Sequence, residues 1–235
     1  MCVTVSSIID IVDSMKAIVV GGAGNLGMSF IQALRRANYF PINIDLKLNS
    51  EAGCNILVDP AKPAAQQLTD MSKMLVSQLD NGGASCLFCA AGSWRSGSIT
   101  DDDFLSNIRS MFKVNLETAA IATHLASKFI SERGVLMLTG ASAALHPLPA
   151  DIGYGISKSS THFLVQSAAV DPVFLKKHIH VLGILPQVIE SKELLLSTKG
   201  EDVDQSSWTK VCSNCKATQA NPSLFIHLLT NRAIS

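Results

Sequence analysis

The strongest constraint on the fold is a glycine-rich turn between a short apolar strand and an amphipathic helix. The strand is KAIVV, and the turn GGAGNLG places Gly22, Gly24 and Gly27 in GxGxxG spacing before the helical pattern MSFIQALRRANYF. Glycines at this spacing allow a tight turn and let backbone N–H groups approach an anion at the positive end of the helix. The segment therefore predicts a dinucleotide site, to which Asn25 and Leu26 of the same turn also contribute.

The rest of the chain alternates predicted strands with predicted helices. The further strands are PINIDL, NILVD, ASCLFCAAG, VLMLTGASAAL and HIHVLGILP, and one long helical stretch covers residues 100–134. Residues 187–221 have no clear pattern, and SLFIHLL is compatible with a short final strand. This alternation implies right-handed crossovers, so we expect a single α/β domain with a doubly wound parallel sheet, the Rossmann fold, and ligands at the carboxyl ends of its strands.

Charge and hydrophobicity argue against several classes of partner. The 19 basic and 19 acidic residues cancel, which leaves no basic field to attract nucleic acid. No apolar run reaches the roughly 18 residues that a membrane-spanning helix needs. The apolar N-terminal segment carries Asp10 and Asp13 but no early Lys or Arg, which argues against a secretory signal. We expect a cytoplasmic protein without nucleic-acid or membrane partners.

Two CxxC pairs raise the question of a metal site. Cys86 and Cys89 lie in a predicted strand, where residues three apart point to opposite faces and cannot easily bind one ion together. The second pair is Cys212 and Cys215. We therefore expect reduced thiols and no metal.

An acidic residue ends the second predicted strand, about twenty residues after the glycine turn. Asp45 at this position can accept hydrogen bonds from the adenosine ribose hydroxyls and would repel a 2′-phosphate, so NADH is favoured over NADPH. Lys47 nearby weakens that preference, and the alternative for Asp45 is a helix cap or a surface charge. Asp59, at the end of the third strand, is a weaker cofactor candidate because an Asp before Pro60 is also common in turns.

Tyr154 and Lys158 are one helical turn apart in the segment IGYGISK. On a helix they share one face. A phenol with a pKa of about 10 is a poor acid at neutral pH, and a nearby cation lowers that pKa. Such a pair is common on helix surfaces, but downstream of a dinucleotide turn it predicts proton transfer.

These features, with AAG at 90–92 and VNL around Asn115, resemble the short-chain dehydrogenase/reductases over about residues 16–195. The resemblance implies that Tyr154 donates a proton, that Lys158 lowers the pKa of the phenol and binds the nicotinamide ribose, and that Asn115 keeps a proton-relaying water in place. It also implies a homodimer that packs the helices carrying Asn115 and Tyr154 across a two-fold axis. Further implied cofactor contacts are Ala91, Gly92 and Pro186.

Two departures from the general family pattern point to one branch, the dihydropteridine reductases. Ala141 stands where the family has its catalytic Ser, with Ser142 one place later, and Asn25 stands where the common pattern has Gly. The segments GGAGNLG, CAAGSW, GASAAL, IGYGISK and DQSSWT are similar to those of that branch. The branch implies NADH-dependent reduction of a quinonoid dihydropterin such as dihydrobiopterin, with Trp94 stacked beside the pterin. The alternative for Trp94 is a partly buried core aromatic.

The resemblance leaves both ends of the chain and two other functions open. Residues 1–14 are expected to be an extension before a reductase domain at 15–235, in which 209–235 is a divergent tail. One alternative is another carbonyl or hydroxyl oxidoreductase of the family, with Ser142 in place of the missing hydroxyl. The other is a non-catalytic NAD-binding regulator.

Overall fold

The computed structural model describes residues 15–79 and 82–186, which form a parallel sheet with helices on both faces. The strands in this part of the chain are β1 (Lys16–Val20), β2 (Phe40–Asp45), β3 (Cys54–Leu57), β4 (Ala84–Cys89), β5 (Ile130–Thr139) and β6 (His180–Ile184). The helices are α1 (Asn25–Arg36), α2 (Ala64–Leu79), α3 (Phe104–Met111), α4 (Thr118–Phe129), α5 (Ile152–Ala169) and α6 (Pro172–Lys176). The expected single α/β domain with a Rossmann fold is confirmed.

The strand order β3-β2-β1-β4-β5-β6 reverses direction beside β1. Chain connections on the two sides of this point diverge, which opens a crevice outside the carboxyl ends of β1 and β4. The loops that follow these two strands carry the glycine turn and the AAG segment. The sheet topology alone therefore brings together two of the motifs singled out in the sequence.

Two apolar layers cover the two faces of the sheet. Along β1, Ile18 packs into one buried cluster and Val19 into the other, so the strand is apolar at every position after Lys16, as expected for a parallel strand covered on both faces. Cys89 and Cys86 also lie in different clusters. Their predicted orientation to opposite faces is confirmed, and neither thiol forms a disulfide within the described residues.

Several element boundaries differ from the predicted ones. The stretch 100–134 is divided into α3, a π-helical segment (Phe112–Glu117) and α4, and β5 begins at Ile130 instead of Val135. The cause lies in strand pairing: the register shifts between Ala84 and Cys86 of β4, which leaves room for extra residues at the start of β5. β3 ends at Leu57 and β5 at Thr139, and α6 was not predicted.

Other sequence features fall outside the part of the chain that the structure describes. They are the extension 1–14, the pair Cys212 and Cys215, and the segments DQSSWT and SLFIHLL within 187–235. Within residues 15–79 and 82–186, no group of three or more His, Cys, Asp or Glu side chains could bind a metal ion. No helix in those same ranges has the length and apolar character required to cross a membrane.

Candidate active site

The glycine turn is shaped by the close packing of its own backbone. Gly21 has φ +82°, and a Cβ there would lie 2.6 Å from Ala91 Cα, while a Cβ on Gly27 would lie 2.6 Å from Gly22 Cα. At Gly24 a Cβ would meet only Gly21 O, at an ordinary 3.5 Å. The protein therefore leaves space over Gly24, where a ligand can approach the backbone.

The N-terminus of α1 faces that space. Gly24 caps the helix without a side-chain hydrogen bond, and the first helical bond from the turn runs from Met28 N–H to Gly24 O at 2.8 Å. The N–H groups of Leu26 and Gly27 precede this bond, at the positive end of the helix. A short uncapped turn at a helix N-terminus fits the pyrophosphate of a dinucleotide.

Asp45 lies at the end of β2 and contacts the glycine turn directly. Its Oδ2 accepts a hydrogen bond from Ala23 N–H at 2.9 Å, and its Oδ1 accepts one from Lys47 N–H at 3.2 Å. Asp59 is exposed, and its carboxylate accepts a hydrogen bond from Ala61 N–H at 2.9 Å in its own turn. The structure therefore joins Asp45 to the glycine turn, whereas Asp59 bonds locally.

The loop after β4 connects the glycine turn with the residues around Asn115 and Lys158. The N–H groups of Ala90 and Ala91 both donate to Val20 O, at 2.8 and 3.1 Å, which fixes this loop beside the end of β1. A Cβ on Gly92 would lie 2.9 Å from Asn115 Oδ1 and 2.9 Å from Lys158 Nζ. Gly92, Asn115 and Lys158 are therefore neighbours around one small backbone position.

Asn115 is a buried junction between that loop and α5. Its Oδ1 accepts a hydrogen bond from Ser93 N–H at 2.8 Å, and its Nδ2 donates to Ser93 O at 3.0 Å and to Ser157 Oγ at 2.9 Å. The residue lies in the π-helical segment, a widened turn that often occurs at functional sites. Ser157 was missed by sequence reasoning, although its position one residue before Lys158 was an available signal.

Tyr154 and Lys158 both lie on α5 in surroundings that change their pKa values. Lys158 is 4% exposed and its Nζ donates to Thr139 O at 2.9 Å; burial lowers its pKa to about 8. Burial raises the pKa of Tyr154, and the Asp151 carboxylate raises it further. This direction is opposite to the lowering expected from Lys158, so that expectation is wrong. A phenol is protonated at neutral pH even without this shift, so Tyr154 carries its proton there.

The segment after β5 contains Ala141 and Ser142, the two positions considered for the catalytic hydroxyl. Ala141 is buried, and its N–H donates to Nε2 of His162 at 3.1 Å. Burial and the Lys158 ammonium lower the pKa of His162, which favours the neutral ring that this hydrogen bond requires. Ser142 directs both its N–H and its Oγ to Pro186 O, at 3.0 and 3.1 Å. The hydroxyl proton of Ser142 is therefore already engaged in a hydrogen bond within the protein.

Trp94 lies on the short loop 93–97 beside this cluster. The Trp94 side chain is 45% exposed, whereas the ends of the loop are fixed by buried amides: Asn115 binds Ser93, and Asn107 Nδ2 donates to Ser96 O at 2.6 Å. A large aromatic ring on an anchored loop provides an exposed flat surface at the rim of the crevice.

The glycine turn and the buried Lys158 lie at the carboxyl ends of β1 and β5, an arrangement that can hold a dinucleotide beside a charged side chain. No family model matches the chain. A curated relative, "Dihydropteridine reductase" from Dictyostelium discoideum, is 28% identical over 179 residues, which are 76% of this chain and 75% of the relative.

Solved structures of short-chain dehydrogenases have the same fold. A short-chain dehydrogenase family protein from Francisella tularensis matches with a TM-score of 0.67 and 22% identity over 78% of this chain and 75% of its own. Sorbitol-6-phosphate 2-dehydrogenase from Erwinia amylovora matches with a TM-score of 0.62 and 22% identity over 72% of this chain and 70% of its own. The resemblance inferred from the sequence is confirmed: the chain is similar to a curated dihydropteridine reductase and has the fold of solved short-chain dehydrogenases.

Proposed function

We propose that this protein uses NADH to reduce a quinonoid dihydropterin to the tetrahydropterin. The name of the curated relative, a dihydropteridine reductase, supports the pterin. The observation that carries the proposal is that the described residues around position 141 offer no available hydroxyl donor. Ala141 has no hydroxyl, and the proton of the neighbouring Ser142 hydroxyl is directed to Pro186 O.

Ketone reduction and pterin reduction place different demands on that position. A ketone that accepts hydride develops alkoxide-like charge, which a hydroxyl beside the Tyr helps to stabilise, and removal of one such donor costs about 2.7–4 kcal/mol. A quinonoid dihydropterin restores an aromatic pyrimidine ring as it accepts hydride, and its charge spreads over ring nitrogens. A site whose described residues supply Tyr154 and Lys158 but no second hydroxyl donor therefore suits the pterin better.

The residues of the site have separate roles in this reaction. A bound nicotinamide supplies the hydride. Tyr154, which like any phenol of ordinary pKa carries its proton at neutral pH, supplies the matching proton directly or through a water near Asn115. The Lys158 ammonium binds the nicotinamide ribose, and Trp94 stacks against the pterin.

The proposed cofactor contacts follow the rim of the sheet. The glycine turn and the first turn of α1 would bind the pyrophosphate, and Asp45 would accept hydrogen bonds from the adenosine ribose. This carboxylate supports NADH over NADPH, with Lys47 as the opposing influence. The remaining proposed contacts are Asp59, Ala91, Gly92 and Pro186.

NADH oxidation with freshly generated quinonoid dihydropterin, compared with a panel of simple ketones, tests the proposal. We expect fast turnover of the pterin and slow turnover of the ketones. Efficient ketone reduction that disappears in Ser142→Ala, with an unchanged melting temperature, would instead make Ser142 the missing hydroxyl and would refute the pterin assignment. Binding of NADH without turnover of either substrate class would favour a regulator.

We also propose that the protein forms a homodimer through the outer face of α5. Ile156 and Phe163 on this face are 44% and 70% exposed, and they line an apolar groove with Leu116 and Leu148. A continuous apolar surface of this kind is typical of an interface. Phe163→Glu should convert the dimer to a monomer in light scattering, and a wild-type monomer at micromolar concentration would contradict this assembly.

A cytoplasmic location is part of the same proposal. Among the described residues, Cys54, Cys86 and Cys89 form no disulfide, which is the state expected in a reducing compartment.

A further inference from the structure

Three asparagines form a polar cluster, here called the amide cluster, between the β2–β3 region and the glycine turn. Asn43 lies on β2, Asn49 in the loop that follows, and Asn55 on β3. Asn43 is fully buried and Asn49 is 3% exposed. Neither the GxGxxG spacing nor the resemblance assigns a role to these residues.

Within the amide cluster, Asn55 fixes the backbone of Asn49. Asn55 Oδ1 accepts hydrogen bonds from Asn49 N–H and from Asn43 Nδ2, both at 2.8 Å, and Asn55 Nδ2 donates to Asn49 O at 3.1 Å. Asn49 Oδ1 accepts a hydrogen bond from Glu51 N–H at 2.8 Å. These bonds leave the Asn49 amide nitrogen pointing in one direction, toward the glycine turn.

That amide nitrogen donates to Gly22 O at 2.7 Å. On the same peptide unit, the N–H of Ala23 donates to Asp45 Oδ2 at 2.9 Å. The C=O and N–H of a trans peptide point in opposite directions, so Asn49 and Asp45 bind the two ends of one peptide plane. The orientation of the Gly22–Ala23 peptide is therefore fixed from both sides by the segment between β2 and β3.

The free-energy cost of burying Asn43 indicates that the amide cluster has a role beyond packing. Asn43 Oδ1 is buried without a hydrogen-bond partner among the described residues, and a Cβ on Gly22 would collide with it. An apolar residue would avoid an unsatisfied oxygen at this strand position. The polar side chain is explained if its amide nitrogen, bonded to Asn55 and to Lys47 O at 3.1 Å, orders the loop that presents Asn49.

We propose that Asn49 is a positioning residue of the cofactor site, which acts by fixing the Gly22–Ala23 peptide. This peptide directly precedes Gly24 and the start of α1, so its orientation determines how the turn meets the adenosine diphosphate part of the cofactor. It also keeps Asp45 Oδ2 on the turn and thereby orients the carboxylate for the ribose. The inference depends on the nicotinamide cofactor but not on the pterin.

Binding measurements with Asn49→Asp and Asn49→Ala test this role. Both variants remove the donor to Gly22 O, and the aspartate also places negative charge against that carbonyl. Asn107→Asp is the matched control, because Asn107 is 2% exposed and donates to Ser96 O at 2.6 Å, away from the glycine turn. We expect the Asn49 variants to bind NADH and ADP-ribose about five- to tenfold more weakly, with NADH affinity retained in the control.

Hydrogen exchange gives a second measurement that needs no cofactor. The Ala23 amide should exchange faster in the Asn49 variants than in wild type, and its exchange rate should be unchanged in Asn107→Asp.

Wild-type affinity for NADH and ADP-ribose in both Asn49 variants, or equal losses of affinity in the control, would overturn the inference. If wild type binds no NADH, this inference and the proposed function both fail, whereas NADH binding without pterin turnover removes only the latter.

Discussion

The glycine turn and the catalytic end of α5 lie at the same rim of the sheet but are stabilised by different chemistry. Around the turn, the neutral side chain of Asn49 and the carboxylate of Asp45 bind backbone groups. Around α5, titratable groups are buried: Lys158 has its pKa lowered to about 8, and Tyr154 has its pKa raised. The first region is suited to binding and the second to moving a proton.

This difference predicts that substitutions can lower cofactor affinity and turnover independently. Substitutions around the glycine turn should change cofactor affinity and leave the pH dependence of turnover intact. Substitutions on α5 should change turnover and its pH dependence. The following predictions test that separation, beginning with the largest expected effect.

Tyr154→Phe and Lys158→Ala should each lower kcat by about a hundred- to ten-thousandfold, because the first removes the proton donor and the second the cation that binds the nicotinamide ribose. The double variant should be little worse than the poorer single variant, since the two groups act as a unit. Steady-state kinetics with melting temperatures as the folding control will measure this. Near-wild-type rates in both single variants would refute the catalytic assignment.

Asp45→Asn should weaken the preference for NADH over NADPH by about ten- to a hundredfold, because a charged hydrogen bond contributes about 1.5–3 kcal/mol and the repulsion of the 2′-phosphate is lost. The ratio of the two dissociation constants, measured by fluorescence titration, is the relevant quantity. A wild-type protein that already prefers NADPH would show that Lys47 outweighs Asp45.

Turnover should fall as the pH rises above about 8, by about tenfold per pH unit, because Lys158 is charged below its lowered pKa and neutral above it. Lys158→Arg keeps the positive charge, so any activity that this variant retains should lose its descending limb near that pH. A pH profile of kcat for both proteins measures the effect. An identical limb in the two proteins would assign the titration to another group.

The motifs that sequence reasoning located are those whose geometry is local. The glycine turn follows directly from residues 21–27, and Tyr154 and Lys158 share a face because four residues make about one helical turn. Asp45 could be found because the end of a strand is visible in the sequence pattern. In each case the relevant neighbours are close along the chain.

What sequence reasoning missed depends on contacts between distant segments. Asn49 meets Gly22 across 27 residues and Ser157 meets Asn115 across 42, and neither residue type at its position indicates such a partner. The direction of the Tyr154 pKa also escaped prediction, because burial is a tertiary property. The early start of β5 depends on its shifted pairing with β4.

The most direct test of the central claim is the effect of Ala141→Ser on kcat/KM for quinonoid dihydropterin and for a simple ketone, measured with NADH in the same assay. If Tyr154 and Lys158 suffice for the pterin, the variant should change kcat/KM for the pterin by less than about twofold. The restored hydroxyl donor should raise kcat/KM for the ketone alone, by about a hundredfold. A ketone value that already rivals the pterin value in wild type, or a pterin value that rises in parallel with the ketone value in the variant, would contradict the account.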